Sequence, residues 1–149
     1  DQVFSCIMLD IDNFKQVNDT HGHLAGDYVI KELAGILKES VRAIDIVARF
    51  GGDEFTILLP NTDMVEAVRL VKRIRDIVDR HCFKFNENAM NMTVSLGVGM
   101  THDRKDEDQI IKCADDALLH AKANGRNQWF CMPCCTHTST DNPAQAEKL

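Results

Sequence analysis

No stretch of this 149-residue chain is apolar for long enough to span a bilayer, and no signal-peptide pattern opens it. The domain is therefore expected to make no membrane contact. Basic residues are also in deficit: 17 Lys and Arg against 23 Asp and Glu leave a formal net charge of −6. A general nucleic-acid binder needs a basic surface, so that class is set aside. An acidic chain that binds an anion must do so locally, through metal ions, backbone amides and a few basic side chains. Nor do the six cysteines (Cys6, Cys82, Cys113, Cys131, Cys134 and Cys135) form a small secreted framework. Cys6 and Cys113 fall on apolar faces and read as buried thiols of a reducing, cytoplasmic compartment. With 44% hydrophobic residues the chain has material for one domain with a real core.

The most informative residues present are Gly51-Gly52-Asp53-Glu54-Phe55. They lie between the apolar runs Ile46-Val47-Ala48 and Phe55-Thr56-Ile57-Leu58-Leu59. Two short strands joined by Gly-Gly read as a β-hairpin whose tight turn uses positive φ. The missing Cβ of a glycine such as Gly52 also lets a phosphate or a second backbone approach closely. Two carboxylates at such a tip suit a metal ion better than a core.

A second acidic cluster lies upstream. Val3-Phe4-Ser5-Cys6-Ile7-Met8-Leu9 reads as a strand buried on both faces, ending in Asp10-Ile11-Asp12. An acid at the end of a buried strand is costly unless it meets a cation or donors. Asp10 and Asp53 can converge on one hard cation, with the Ile11 carbonyl as a further oxygen ligand. Oxygen-only ligands with two carboxylates suit Mg²⁺, with Mn²⁺ as an alternative. A plainer role also exists, capping the following helix, and Asp12 fits that job better than Asp10.

Periodicity gives the order βααββαβαβ. A short helix is expected over 13–20 and a longer one over 26–40, with Val29, Ile30, Leu33, Ala34 and Leu37 inward. Hairpin strands follow near 45–50 and 54–60, stopped by Pro60. Asp63 and Glu66 sit at capping-box spacing before a helix that faces inward with Val68, Val71, Ile74 and Val78. Residues 81–90 read as a loop or small hairpin and 92–100 as a strand. Asp106 and Gln109 cap a final helix with Ile110, Ala114, Ala117, Leu118 and Ala121 inward, ended by Asn124-Gly125. Residues 127–131 form the last strand. The expected fold is an α/β sandwich with helices over both faces of a central, mainly antiparallel sheet.

Four spaced segments carry a family resemblance. Asp10-Ile11-Asp12-Asn13-Phe14-Lys15-Gln16-Val17-Asn18-Asp19-Thr20-His21-Gly22-His23 with Gly26-Asp27 is the first, and Arg49-Phe50-Gly51-Gly52-Asp53-Glu54-Phe55 the second. Ser95-Leu96-Gly97-Val98 is the third. The fourth is Ala114-Asp115-Asp116-Ala117-Leu118 followed by Ala121-Lys122-Ala123-Asn124-Gly125-Arg126-Asn127. In this order they resemble the signatures of the GGDEF family of diguanylate cyclases. The resemblance implies a fold related to the palm of nucleotide polymerases and cyclases. It implies condensation of two GTP to cyclic di-GMP with release of two pyrophosphates, the alternative being a silent domain that only binds these nucleotides.

The resemblance places Asn18 and Asp27 at guanine; their plainer reading is capping, Asn18 in a turn and Asp27 in a first helical turn. An acid at position 27 accepts from guanine N1–H and finds no such donor on adenine, which favours GTP. The amides of Asn13-Phe14-Lys15 open a helix toward phosphate. Lys122 and Arg126, four apart near a helix end, reach the β- and γ-phosphates, although basic residues also gather at helix C-termini for dipole reasons. Two Mg²⁺ per GTP are implied, one on Asp10, Ile11 and Asp53, with Glu54 as base for the 3′-hydroxyl or as holder of the second metal. Each domain then holds one GTP, and a two-fold symmetric product calls for a homodimer. Arg42-x-x-Asp45 looks like the family's inhibitory product site, with Arg73 a candidate third member.

Departures are also visible. The family usually starts with a helix before the first strand, and this chain starts after it. The domain is read as 1–131, cut from a longer protein such as a membrane-attached sensor with a cytosolic catalytic part. Residues 132–149 are expected to be a disordered tail. Cys131, Cys134, Cys135 and His137 lack the second loop of a usual zinc site, so stray thiols are expected there.

Overall fold

Along the chain the elements are β1 (Phe4–Ile11), α1 (Phe14–His21), α2 (His23–Ser40), β2 (Ile46–Arg49), β3 (Glu54–Pro60) and α3 (Met64–Arg80). They continue with β4 (Cys82–Phe85), β5 (Asn88–Asn91), β6 (Val94–Thr101), α4 (Glu107–Ala123) and β7 (Trp129–Pro133). The structure is a computed structural model that describes residues 3–101 and 107–134. The expected order holds with one addition. Residues 82–91 form the hairpin β4–β5, which pairs with itself and stands outside the main sheet.

The main sheet runs β2-β3-β1-β6-β7. Pairing is antiparallel except between β6 and β7, which are parallel and joined through α4. Strand β1 is the middle strand, and its unbroken apolar run is explained by cover on both faces. Ile7, Leu9 and Ile11 turn to one side, where Val29, Leu33 and Leu37 of α2 and Val71, Ile74 and Val78 of α3 complete the core. Cys6 and Met8 turn to the other and meet Ile110, Ala114 and Leu118 of α4. Helix α4 comes unusually close to β6. A Cβ on Gly97 would lie 2.0 Å from the Ala114 carbonyl oxygen and 2.2 Å from the Leu118 nitrogen. No side chain fits there.

The expected cap of α3 is present, with the Asp63 carboxylate accepting from the Glu66 N–H at 2.8 Å. Several expectations are corrected. The hairpin glycines Gly51 and Gly52 do not adopt positive φ; among the described glycines only Gly22 and Gly125 do. The loop between the paired residues Arg49 and Phe55 is long enough to close without a tight turn. Helix α2 starts at His23, so Asp27 lies beyond its first turn. Strand β7 starts at Trp129 and runs through Pro133, so residues 132–133 belong to the sheet and Asn127 lies in the turn before it. Cys113 is half-buried, while Cys6 is fully buried. Asp106, Cys135, His137 and the tail 135–149 lie outside the described residues. Among the described residues, no helix is long and apolar enough to cross a membrane.

Candidate active site

The pairing of β1 with β3 sets Asp10 directly opposite Glu54, and the pairing with β6 sets it opposite Ser95. Directly paired residues share a face, so Asp10 and Glu54 both turn to the α4 side of the sheet. Asp53 is drawn to the same corner, since its carbonyl accepts the Ile11 N–H at 3.2 Å. The Phe50 N–H donates to the Glu54 carbonyl at 2.8 Å, which closes the loop. Arg49 braces it further, donating from Nε to the Gly51 carbonyl at 3.0 Å and from Nη2 to the Gly52 carbonyl at 2.6 Å. Nothing lies within 4 Å of where a Gly52 Cβ would stand, so the loop presents bare backbone outward.

Asp10 is almost fully buried. Burial is the main reason its carboxyl is pushed up to about 6; the Asp53 carboxylate pushes the same way, and the Lys122 ammonium opposes both. Lys122, from the last turn of α4, donates to Asp10 Oδ2. Asp10 Oδ1 is buried and has no hydrogen-bond partner among the described residues. A buried carboxylate oxygen left bare beside a second carboxylate is a strong demand for a cation.

Asp12 is not a helix cap. The cap position of α1 is taken by Asn13, in a left-handed conformation (φ 55) without a side-chain cap bond. The Asp12 carboxylate is buried and accepts from Ser95 Oγ at 2.7 Å, Thr93 Oγ1 at 2.7 Å and the Asn127 N–H at 2.9 Å.

Asn18 and Phe14 of α1 lean on α2 at Gly26, where a Cβ would lie 1.9 Å from Asn18 Oδ1 and 3.1 Å from Phe14 Cζ. That glycine lets the helices close on each other and brings Asn18 near Asp27, which is exposed. Lys15 is exposed at the start of α1. Arg126 is exposed beyond the end of α4, in a left-handed turn (φ 60). A cavity of about 400 Å³ on the other side of α1, against β5, is lined by Gln16, Val17, Thr20 and Met90 and takes neither Asn18 nor Asp27.

Arg42 and Asp45 pair with each other at the end of α2. Arg42 Nη2 meets Asp45 Oδ1 at 3.0 Å and the Pro60 carbonyl at 3.3 Å. The adjoining cavity, about 280 Å³, also receives Arg69 and Arg73. The bond to Asp45 raises the Arg42 guanidinium above its usual pKa.

Residues 1–128 match the family described as "Diguanylate cyclase, GGDEF domain". This chain belongs to the GGDEF family. It is 41% identical over 128 residues to diguanylate cyclase A of Treponema denticola, covering 85% of this chain and 34% of that protein. It is 41% identical over 126 residues to the response regulator PleD of Caulobacter vibrioides, covering 83% of this chain and 28% of that protein. The chain thus spans about a third of the length of these curated relatives. Among solved structures, the active GGEEF domain of a Vibrio cholerae diguanylate cyclase superposes with a TM-score of 0.79 at 37% identity, covering 91% of this chain and 85% of that one. The GGDEF domain of DgcB from Caulobacter crescentus, in complex with c-di-GMP, gives 0.82 at 29% identity, covering 89% and 78%.

GGDEF cyclases are generally metal-dependent, and the residues present fit a hard divalent cation. Among the described residues no three His, Cys, Asp or Glu side chains gather as a metal cluster. Asp10 and Asp53 bring two carboxylates together at that corner, the oxygen donors that a hard divalent cation takes. Sequence reasoning missed three features of this GGDEF site: the Asp10–Lys122 pair, the Asp12 hub and the Arg49 brace. Asp12 carried one legible signal, since it is a second acid just past the end of a strand buried on both faces.

Proposed function

We propose that this domain is one half of a diguanylate cyclase, condensing two GTP to cyclic di-GMP with release of two pyrophosphates. The observation that carries the reading is the bare, buried Asp10 Oδ1 beside Asp53, with Lys122 on the opposite oxygen. Asn18 and Asp27 read the guanine edge. The start of α1 at Phe14 and Lys15, with bare backbone at Gly52, receives the phosphates. Lys122 and Arg126 reach the β- and γ-phosphates. Asp10, Ile11 and Asp53 would hold one Mg²⁺, and Glu54 would either help to hold a second or serve as the base. Such a metal, when bound, would supply charge stabilisation at the α-phosphate. The attacking 3′-hydroxyl of one GTP loses its proton, to Glu54 where Glu54 is the base, as its oxygen bonds to the α-phosphorus of the facing GTP and pyrophosphate leaves in line. Most of the acceleration comes from positioning and charge stabilisation.

Two such domains face each other across a two-fold axis, each holding one GTP. Cyclic di-GMP also returns to Arg42 and Asp45, with Arg73 beside them, and inhibits. A domain that consumes GTP would work in the cytoplasm. Incubation with GTP and Mg²⁺, followed by chromatography, tests the reading. Cyclic di-GMP is the expected product, and Asp53→Ala is expected to lower its rate at least about a hundredfold. Tight GTP binding without turnover in an enforced dimer would instead identify a nucleotide receptor.

A further inference from the structure

The turn between α4 and β7 is held in an unfavourable shape. Arg126 (φ 60) and Asn127 (φ 47) are consecutive residues in the left-handed region, where a Cβ meets the backbone. Such a pair persists only if its surroundings impose it. Three contacts do so at Asn127. Its N–H donates to Asp12 Oδ2 at 2.9 Å, its carbonyl accepts from Arg75 Nε at 3.0 Å, and its side-chain amide donates to Asp79 Oδ1 at 3.1 Å. The Asp12 end is the buried one, and it is anchored in turn by Thr93 and Ser95.

We propose that Asp12 is a positioning residue that aims Arg126 at the substrate phosphates through the Asn127 backbone. The inference rests on the reading of Arg126 given above. An acid two residues after Asp10 invites assignment as another metal ligand. Its hydrogen bonds argue otherwise, because both oxygens are already occupied, one by Ser95 and the other by Thr93 and Asn127. What Asp12 supplies is acceptor geometry, and an amide oxygen can supply the same. In Asp12→Asn the oxygen still accepts from Asn127 and Thr93, while the amide N–H donates to Ser95 Oγ, which can accept. Asp12→Ala removes the anchor altogether.

The test measures binding of a non-hydrolysable GTP analogue with Mg²⁺ by calorimetry, alongside KM and kcat. Arg126→Ala is expected to weaken binding about tenfold, the scale of one charged hydrogen bond. Asp12→Ala is expected to match it and to raise KM more than it lowers kcat. The double variant Asp12→Ala/Arg126→Ala is expected to bind no worse than Arg126→Ala alone, and Asp12→Asn to stay within about twofold of the native chain. Equal damage from Asn and Ala at position 12, or additive losses in the double variant, overturns the proposal. If Arg126→Ala weakens binding and Asp12→Ala does not, the positioning role alone fails. If Arg126→Ala changes nothing, the phosphate role of Arg126 fails and takes this inference with it. Should Asp12→Ala not fold, Arg75→Ala cuts the same clamp from α3. It is expected to weaken binding several-fold in the native background and not in Arg126→Ala; equal effects in both backgrounds overturn the proposal.

Discussion

Asp10 concentrates the conflict on which the site depends. Strand β1 carries a carboxylate into a buried position because its apolar neighbours need that burial, and the carboxyl is pushed up to about 6 against an ordinary value of 3.8. The fold therefore favours the protonated form. This favourable contribution is complete below about pH 4 and is lost as pH rises through about 6. In the metal-free chain at pH 7.5 the ionised group then costs about 2–3 kcal/mol. Asp10→Asn is expected to melt several degrees higher than the native chain at pH 7.5 in chelator, with the gap closing toward pH 4. Mg²⁺ is expected to raise the native melting temperature at pH 7.5 and to leave that of Asp10→Asn nearly unmoved. Parallel melting profiles from pH 4.5 to 7.5 would remove Asp10 as the strained group.

Arg42 matters at the level of elements, since it ties the end of α2 to the end of β3 and the approach to α3. Its guanidinium reaches Asp45, the Pro60 carbonyl and Thr62 Oγ1 at once, and Arg73 of α3 donates to the Ser40 carbonyl at the end of α2. The Arg42 side chain is half exposed, while the Asp45 carboxylate that it grips through two nitrogens is almost fully buried, so Arg42 is the member of the pair that a ligand can reach. Arg42→Ala is accordingly expected to raise the cyclic di-GMP concentration for half-inhibition about tenfold, measured against the uninhibited rate of the same variant. Inhibition at the native concentration would detach product feedback from this cavity. The elements themselves were legible where one local rule decides. Helices α2, α3 and α4 bury the residues their spacing selects, except that Ala34 of α2 is only partly covered, and Asp63 caps α3 as its offset from Glu66 implies. Long-range pairing was less legible. Asp10 and Asp53 could be matched because a hairpin strand pairs with β1. Lys122 is 112 residues from Asp10, and the donors to Asp12 are 81 to 115 residues away. Nothing local separates a helix cap from a buried hub.

On the scale of the whole molecule, one sheet corner holds the one set of acids proposed for the metal, beside the one pair of helices proposed for the purine. Cyclic di-GMP is two-fold symmetric and contains two equivalent phosphodiester bonds. A single domain that activates one α-phosphate can make neither bond without a second nucleotide delivered at the right angle. The economical delivery is a second copy related by a two-fold axis, in which each GTP is nucleophile for one bond and electrophile for the other. On the proposed reading the active species is the dimer, and its population follows mass action. Well below the dimer dissociation constant, a tenfold dilution is expected to lower specific activity by about tenfold, with sedimentation showing the matching shift to monomer. Constant specific activity across that shift would mean that one domain completes both bonds alone, and the half-site picture would have to be abandoned even if cyclic di-GMP is the product.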